Sequence, residues 1–231
     1  MKARARRNKV RRRASGPRDP ERTRAAILAA ATQEFTAKGL EGARVDDIAR
    51  RAGINKRMIY HYFKDKAGLY LAVLESTYEA IRIAEIGLNL GHRDPVEGMK
   101  ELVAFTWNYF IRHPEFLSLL ATENLHKARY LRQSERIRDL HFPLVGMISA
   151  LLERGRKAKL FRAGIDPVQL YITIAALGFF YLSNQHTLST IFDRRLAAPA
   201  NLKARGEHVT DVVLAYLRRD PRAARVQAER S

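Results

Sequence analysis

The chain has 231 residues, 46% of them hydrophobic, which is enough for one large core or two modest ones. Its 42 Lys and Arg outnumber 24 Asp and Glu, and the resulting net charge of +18 favours a polyanionic partner, nucleic acid ahead of membrane. The absence of cysteine excludes disulfide scaffolds and thiolate metal sites and is compatible with a reducing cytoplasm.

Residues 1–18 contain nine Lys and Arg and no acidic residue. Because the segment has no apolar periodicity, and no apolar run of the kind a signal peptide needs, we predict a disordered basic arm. Two functions remain open for it. It either contacts DNA phosphates or a narrow minor groove, or it serves only as a solubilising tail.

The first helix is predicted to begin after Asp19, a residue type that caps helix N-termini, and to run to Lys38. Gly39 then ends it, since glycine is the usual residue just past a helix C-terminus. Along this helix Ile27 and Phe35, with an alanine between them, recur every four residues and form the predicted buried face.

The stretch from Val45 to Lys66, VDDIARRAGINKRMIYHYFKDK, is predicted to form two short helices joined by a tight turn at Gly53. Small and aliphatic residues fall where the two helices would cross, and glycine tolerates the positive φ of such a turn. Asn55 is suited to cap the second of these helices. This pattern is typical of a helix-turn-helix, so we predict a sequence-specific DNA-binding protein.

Seven side chains are predicted to contact DNA. Basic groups pair with guanine and a methionine meets a thymine methyl, so Lys56, Arg57 and Met58 are the predicted base-reading residues. The alternative for the two basic groups is that they contact phosphate alone. Phosphate contacts that fix the register are predicted for the remaining four: Arg44, Tyr60, His61 and Lys66. For Tyr60 the alternative is packing in the core.

The segment Gly39–Lys66 resembles the DNA-binding domain of the TetR/AcrR family of bacterial repressors. The matching features are the GLEG lead-in, the IA pair, AGI in the turn and IYHYFKDK at the exit. The close match spans about residues 22–75, and HPEFLSLL and NLHKARYL resemble the C-terminal domains of some members more loosely. The sequence departs from the pattern at Arg44, where many members carry a capping threonine or serine.

Beyond the helix-turn-helix the sequence predicts only helices. They cover 67–88, 94–112, 115–123, 124–157 with a break near Pro143, 166–188 and 207–218. The predicted fold class is all-α. An N-terminal three-helix helix-turn-helix DNA-binding domain over 19–66 precedes a C-terminal helical ligand-binding and dimerisation domain over 67–220, and a basic tail follows over 221–231.

Residues 167–192 carry no formal charge over a length that could span a membrane. Polar residues such as Gln169, Thr173 and Asn184 are spread along the segment, however, and such groups are costly in lipid. We therefore predict a helix that protein buries on several faces, and no membrane contact.

The resemblance implies a homodimer in which the last two helices of each subunit form a four-helix bundle. Its predicted seam consists of apolar and small residues of those helices: Leu170, Ile174, Leu177, Gly178, Tyr181, Val209, Val212, Val213 and Tyr216. The alternative is that part of this set belongs to the core of a single chain.

The resemblance also implies a small-molecule effector inside the C-terminal domain. A cavity for it needs apolar walls and a few convergent polar groups. The candidates are aromatic, polar and basic: Trp107, Phe110, Phe116, Asn124, His126, Arg129, Tyr130, Phe179 and Gln185. Ordinary core packing is the alternative for about half of them.

The predicted function is that of a cytoplasmic homodimeric repressor that a small molecule releases from a palindromic double-stranded DNA operator. One alternative is a DNA-binding or architectural protein of the same fold that needs no effector. The other, an all-α enzyme, is disfavoured because the sequence has no phosphate-cradling glycine loop, no GxSxG and no HExxH. Its seven histidines suggest no common ligand geometry, so we expect no metal or other cofactor.

Overall fold

The computed structural model describes residues 19–140 and 142–218. Within them the chain is helical apart from loops and one isolated bridge between Phe161 and Arg218, which agrees with the predicted all-α class. The arm predicted over 1–18 and the tail predicted over 221–231 lie outside the described residues.

Eleven α-helices form in the described part of the chain. In chain order they are α1 Pro20–Gly42, α2 Val45–Ala52, α3 Lys56–Phe63, α4 Lys66–Ile86, α5 Pro95–Arg112, α6 Pro114–Leu125, α7 Glu135–Asp139, α8 Phe142–Lys157, α9 Pro167–Ser183, α10 Gln185–Ile191 and α11 Pro199–Leu217. Short 3₁₀ turns, Leu90–His92 and Leu131–Gln133, precede α5 and α7. No helix among the described residues combines the length and hydropathy needed to cross a membrane.

The start of α1, the end of α2 and the start of α3 follow their sequence signals, but α1 extends beyond its predicted end at Lys38. The Asp19 carboxylate accepts a hydrogen bond from the backbone N–H of Glu21 at 3.0 Å and caps α1. Gly39 has a φ of 66° and leaves the helical conformation, so α1 kinks there and ends three residues later. Gly53, with a φ of 65°, ends α2 in the left-handed conformation that favours glycine. The Asn55 side chain accepts from the Arg57 N–H at 2.9 Å and caps α3.

One hydrophobic core runs through both predicted domains. Ile27 and Phe35 of α1 pack with Ile48 and Ile59 of the next two helices, and the same buried cluster continues along α4 into α5 and α6. A second cluster joins α5 to α8, α9 and α11. Helix α6 also packs directly on α1, so α4 is not the sole connection between the two halves.

The predicted helix over 124–157 is wrong in its first half. Helix α6 ends at Leu125, and Lys127 and Ala128 both adopt a φ of 55°, which an α-helix does not allow. The chain then lies across α4: the Ser134 hydroxyl donates to Glu75 at 2.6 Å and Arg136 pairs with Glu79. We call residues 126–139 the strap.

Two further boundaries differ from the prediction. Helix α9 ends at Ser183 rather than near residue 188, and the side chain of Asn184 donates to the Phe180 carbonyl at 2.8 Å where the helix stops. The last helix begins at Pro199 rather than at residue 207, since proline is well suited to the first helical position.

Candidate nucleic-acid interface and effector site

The three predicted base-reading residues lie together on the first turn of α3. Lys56 and Arg57 are exposed and Met58 is half-buried, whereas Ile59 and Phe63 of the same helix are buried in the core. The helix is thus fixed by its inner face, and its amino end presents two cations and a thioether to solvent. A duplex major groove accepts a helix in this way.

Lys56 has a partner within the protein. Its Nζ lies 3.0 Å from Oδ1 of Asp46, which is in the first turn of α2, and both side chains remain largely exposed, at 57% and 67%. The ion pair therefore joins the amino ends of α2 and α3 on the surface of the helix-turn-helix.

The four predicted phosphate ligands differ in their surroundings. Tyr60 and His61 are exposed on α3, and Arg44 is exposed before α2 and makes no side-chain capping bond. Lys66 is half-buried, and its ammonium donates to the carbonyl of Glu41 at 3.1 Å. That bond ties the start of α4 to the end of α1, and it leaves two N–H groups of Lys66 for a phosphate.

A charged cluster that sequence analysis missed holds α2 against α1. The Glu34 carboxylate is buried and pairs with Lys38, which also binds Asp47 of α2 at 3.1 Å. The Lys38 hydrogen bond lowers the pKa of Asp47 below its ordinary value. The four-residue spacing of Glu34 and Lys38 could have indicated the first pair. Through α2, this cluster sets the position of α3.

Four of the effector candidates lie in the interior of the regulatory half. Trp107, Phe110 and Phe116 are buried on α5 and α6, and Phe179 is half-buried against the same core. The rings of Phe110 and Phe116 stack with centroids 5.7 Å apart. Phe110 and Gln185 also line a groove of about 500 Å³ between α5, α6, α9 and α10, and Trp107 lines one of about 430 Å³ beside α11.

The other four candidates lie at the end of α6 and in the strap, beside α4. Asn124 is exposed, and Nδ1 of His126 lies 2.8 Å from a backbone carbonyl of α6. The guanidinium of Arg129 lies over the ring of Tyr130 at 5.7 Å, and that ring meets Tyr70 of α4 edge-on at 5.2 Å. Tyr130 packs against the same buried cluster as Trp107, Phe110 and Phe116, so the two groups of candidates meet at the core.

A buried polar cluster between α4 and α9 was also missed. Arg82 and Glu85 are 2% and 1% exposed, and their charged atoms lie 3.0 Å apart. The Arg82 guanidinium donates to the Tyr171 hydroxyl at 3.0 Å. Burial raises the pKa of Glu85 to about 7, although Arg82 opposes the shift. The available signal was spacing, since Arg82 and Glu85 follow Tyr78 by four and seven positions, on the apolar face of α4.

The predicted dimer seam divides between interior and surface. Leu170, Ile174, Val209 and Val213 are buried within the single chain, as is Gly178, so for these the alternative of intrachain core is correct. The physical reason is helical periodicity, because residues on the opposite face of α9 point outward. The large apolar side chains of α9 and α11 that remain exposed are Val168, Ile172, Phe180, Val212 and Tyr216.

Two family models match this chain. Residues 27–73 match the model described as "Bacterial regulatory proteins, tetR family", and residues 95–213 match "Tetracyclin repressor-like, C-terminal domain". These ranges contain the helix-turn-helix and α5 to most of α11.

Several individual proteins are similar to this chain along most of their length. The transcriptional repressor NicS of Pseudomonas putida is 42% identical over 202 residues, which cover 86% of this chain and 94% of that protein. The crystal structure of a putative transcriptional regulator, SCO4942 of Streptomyces coelicolor, has a TM-score of 0.64 at 25% identity and covers 86% of this chain and 99% of its own. The ketosteroid regulator KstR2 of Mycobacterium tuberculosis shares the fold, with a TM-score of 0.63 at 20% identity. With this sequence pattern, this all-α architecture and an exposed recognition helix, the chain belongs to the TetR family of DNA-binding transcriptional regulators.

Proposed function

We propose that this protein is a cytoplasmic homodimeric repressor that binds a palindromic operator through α3 and leaves it when a small molecule binds the regulatory half. The observation that carries the proposal is the first turn of α3, where Lys56 and Arg57 are exposed and Met58 is half-buried, on a helix anchored by buried Ile59 and Phe63. The 42% identity to a named repressor over most of both chains supports repression rather than activation.

The exposed apolar residues of α9 and α11 support a dimer. Ile172 and Phe180 project from α9, and Val212 and Tyr216 project from α11, all on surfaces that the single chain leaves open. Large exposed apolar side chains on two helices that touch each other are typical of a protein contact. Two subunits joined there present two copies of α3, which is what a palindromic operator requires.

The buried cluster of Arg82, Glu85 and Tyr171 supports an effector site in the interior. Within the described residues, Nε of Arg82 and Oε1 of Glu85 are buried without a hydrogen-bond partner. Unpaired buried groups of this kind favour a small polar molecule that offers an acceptor beside a donor.

Helix α4 connects this cluster to the DNA-binding half. Arg82 and Glu85 lie near its end, and Lys66 at its start is bonded to the carbonyl of Glu41 in α1. Helix α4 is proposed to adopt two positions relative to the rest of its subunit. An effector that binds one of these positions more tightly than the other would shift the spacing between the α3 helices of the two subunits.

The DNA-binding part is tested with alanine variants on the strongest site found by a genome-wide map of bound DNA. We expect Lys56→Ala and Arg57→Ala each to weaken operator binding roughly 10- to 100-fold, because each removes a base or phosphate contact. Lys100→Ala is the matched control, since Lys100 is an exposed paired lysine on α5. Unchanged operator affinity in both α3 variants would refute the proposed interface.

A second candidate is a DNA-binding protein of the same fold without an effector. The packed rings of Trp107, Phe110 and Phe116 in the regulatory interior favour it. A metabolite screen on the mapped operator distinguishes the two: an effector-controlled repressor loses the operator with at least one compound, and Arg82→Met then abolishes that response without changing affinity for DNA.

A further inference from the structure

The first of the two helices in the helix-turn-helix carries an exposed acidic residue beside the proposed DNA-binding lysine. Asp46 lies in the first turn of α2, and its Oδ1 is 3.0 Å from Nζ of Lys56 on α3. By contrast, the neighbouring guanidinium of Arg57 has no ionic partner among the described residues. A carboxylate beside a base-reading lysine weakens attraction to DNA phosphates, so its position calls for a function.

We propose that Asp46 is a positioning and specificity-determining residue that acts through Lys56. The inference rests on the proposed contact of Lys56 with DNA. Through the ion pair, the carboxylate biases the ammonium toward the side of α3 that faces α2, and so away from the flanking phosphates. To bind a phosphate, the Lys56 ammonium must either leave Asp46 or bring the phosphate close to the Asp46 carboxylate, which repels it.

The energetic consequence differs between correct and incorrect DNA. On random sequence, the contacts of a lysine are mostly to phosphate, and these are the contacts that the ion pair opposes. On the operator, a guanine in the major groove offers O6 and N7 as acceptors, and the Lys56 ammonium can bind them from the position that Asp46 favours. Asp46 therefore lowers non-specific affinity more than operator affinity.

The solvent exposure of the pair sets the size of the effect. Exposed ion pairs are weak, so Asp46 biases the position of the Lys56 ammonium without fixing it, and the expected effect is small. We thus expect Asp46→Asn to strengthen binding to a non-specific duplex by about two- to five-fold and operator binding by less, so that the ratio of the two affinities falls. For Asp46→Asn on the non-specific duplex, the slope of the logarithm of the binding constant against the logarithm of the salt concentration steepens by about one unit, because Lys56 then neutralises one more phosphate.

Fluorescence anisotropy on the full-length dimer tests this, with an operator duplex and a scrambled duplex of equal length at four salt concentrations. The variants are Asp46→Asn, Lys56→Ala, their combination, and Asp46→Glu as the conservative rescue. Glu97→Gln is the matched control, since Glu97 also lies in the first turn of a helix and pairs with an exposed lysine, Lys100. We expect the control and the rescue to keep the affinity ratio of the natural protein.

The double variant separates action through Lys56 from a general charge effect. If Asp46 acts through Lys56, Asp46→Asn changes the affinity ratio much less when Lys56 is already alanine. An equal change with and without Lys56 would overturn the inference while leaving the proposed interface intact. A Lys56→Ala variant that binds both duplexes normally would overturn it as well, and Arg57→Ala would then show whether α3 contacts DNA at all. Thermal unfolding of each variant verifies that the helix-turn-helix is folded.

Discussion

Arg82 and Glu85 form an ion pair that water barely reaches. The pair lies near the end of α4, and the Tyr171 hydroxyl of α9 binds the same guanidinium. Removing two charges from water is costly, so such a pair is weak evidence for stability. Its position between α4 and α9 favours recognition of a polar effector or control of how α4 packs on α9.

The buried carboxylate makes stability depend on pH. The pKa of Glu85 is raised from 4.5 to about 7, so the native state binds this proton more tightly than the unfolded state. The resulting stabilisation is complete below pH 4.5 and is lost as pH rises through 7. We expect the unfolding free energy to fall by roughly 3 kcal/mol over this range, and Glu85→Gln to remove that fall.

Urea denaturation at intervals between pH 4.5 and 8 measures this dependence. Glu79→Gln is the control, because Glu79 lies on the same helix but is partly exposed and paired with Arg136. The same pH slope in Glu85→Gln as in the natural protein would contradict the assignment.

At the level of single residues, sequence predicts what depends on near neighbours. The caps at Asp19 and Asn55 were predictable because each carboxylate or amide bonds a backbone N–H two positions away. The contact between Arg82 and Tyr171 was not, since the two are separated by 89 positions and meet only after α9 has packed on α4. The same holds for Lys66, whose partner lies 25 positions earlier.

Among the elements, α8 shows how a glycine can be required by packing. A Cβ on Gly155 would lie 2.0 Å from the ring of Phe161, which is buried in the second core cluster. Phe161 also forms the bridge to Arg218 at the end of α11. The glycine therefore allows the chain after α8 to fold back against its own helix.

We expect Gly155→Ala to destabilise the protein by about 1–3 kcal/mol, because the ring must move out of a packed site. Gly146→Ala in the same helix is the matched control. Among the described residues, no atom other than those of its chain neighbours and its own helix backbone lies within 4 Å of the added methyl group, so the better helix propensity of alanine should raise stability by about 0.5–1 kcal/mol. Denaturant unfolding of the two variants measures both effects, and equal stabilities would refute the packing argument.

Where element prediction failed, tertiary contacts override local propensity. Residues 126–128 contain neither glycine nor proline, yet Lys127 and Ala128 adopt positive φ. The buried carboxylate of Glu123 accepts a hydrogen bond from the N–H of Leu131 at 2.9 Å, which stabilises the turn that follows α6. The burial of the Glu123 carboxylate depends on tertiary packing, so the local sequence does not predict this hydrogen bond.

At the scale of the whole molecule, the proposed dimer depends on the exposed apolar residues of α9 and α11. Ile172→Glu places a carboxylate at the centre of the exposed apolar face of α9. Burying an unpaired charge costs several kcal/mol, so we expect a monomer that binds a single half-site weakly. Leu125→Glu is the control, because Leu125 is an exposed leucine on α6.

Sedimentation velocity at micromolar concentration, together with operator binding, measures the change. A dimer that survives Ile172→Glu would place the subunit contact on another surface.

The two sites also differ in how far sequence could predict them. The outer face of α3 follows from a local pattern of core residues, so the exposure of Lys56 and Arg57 was predictable. The effector candidates depend on how α4, α5, α6 and α9 assemble. The sequence pattern of aromatic and polar residues at helical spacing therefore does not separate interior from surface. It selects Trp107 and Phe110, which are buried, together with Asn124 and Arg129, which are exposed.

The core shared by α1, α4 and α6 also limits how this protein can be recombined with its relatives. A division at residue 66 separates recognition from regulation in the sequence, but it cuts through the apolar contacts of Phe35 and Tyr70, whose rings meet edge-on at 5.1 Å. A chimera that takes only residues 19–66 would leave α1 facing a foreign α6. The transferable module of this regulator is therefore larger than its helix-turn-helix and includes the helices on which α1 rests.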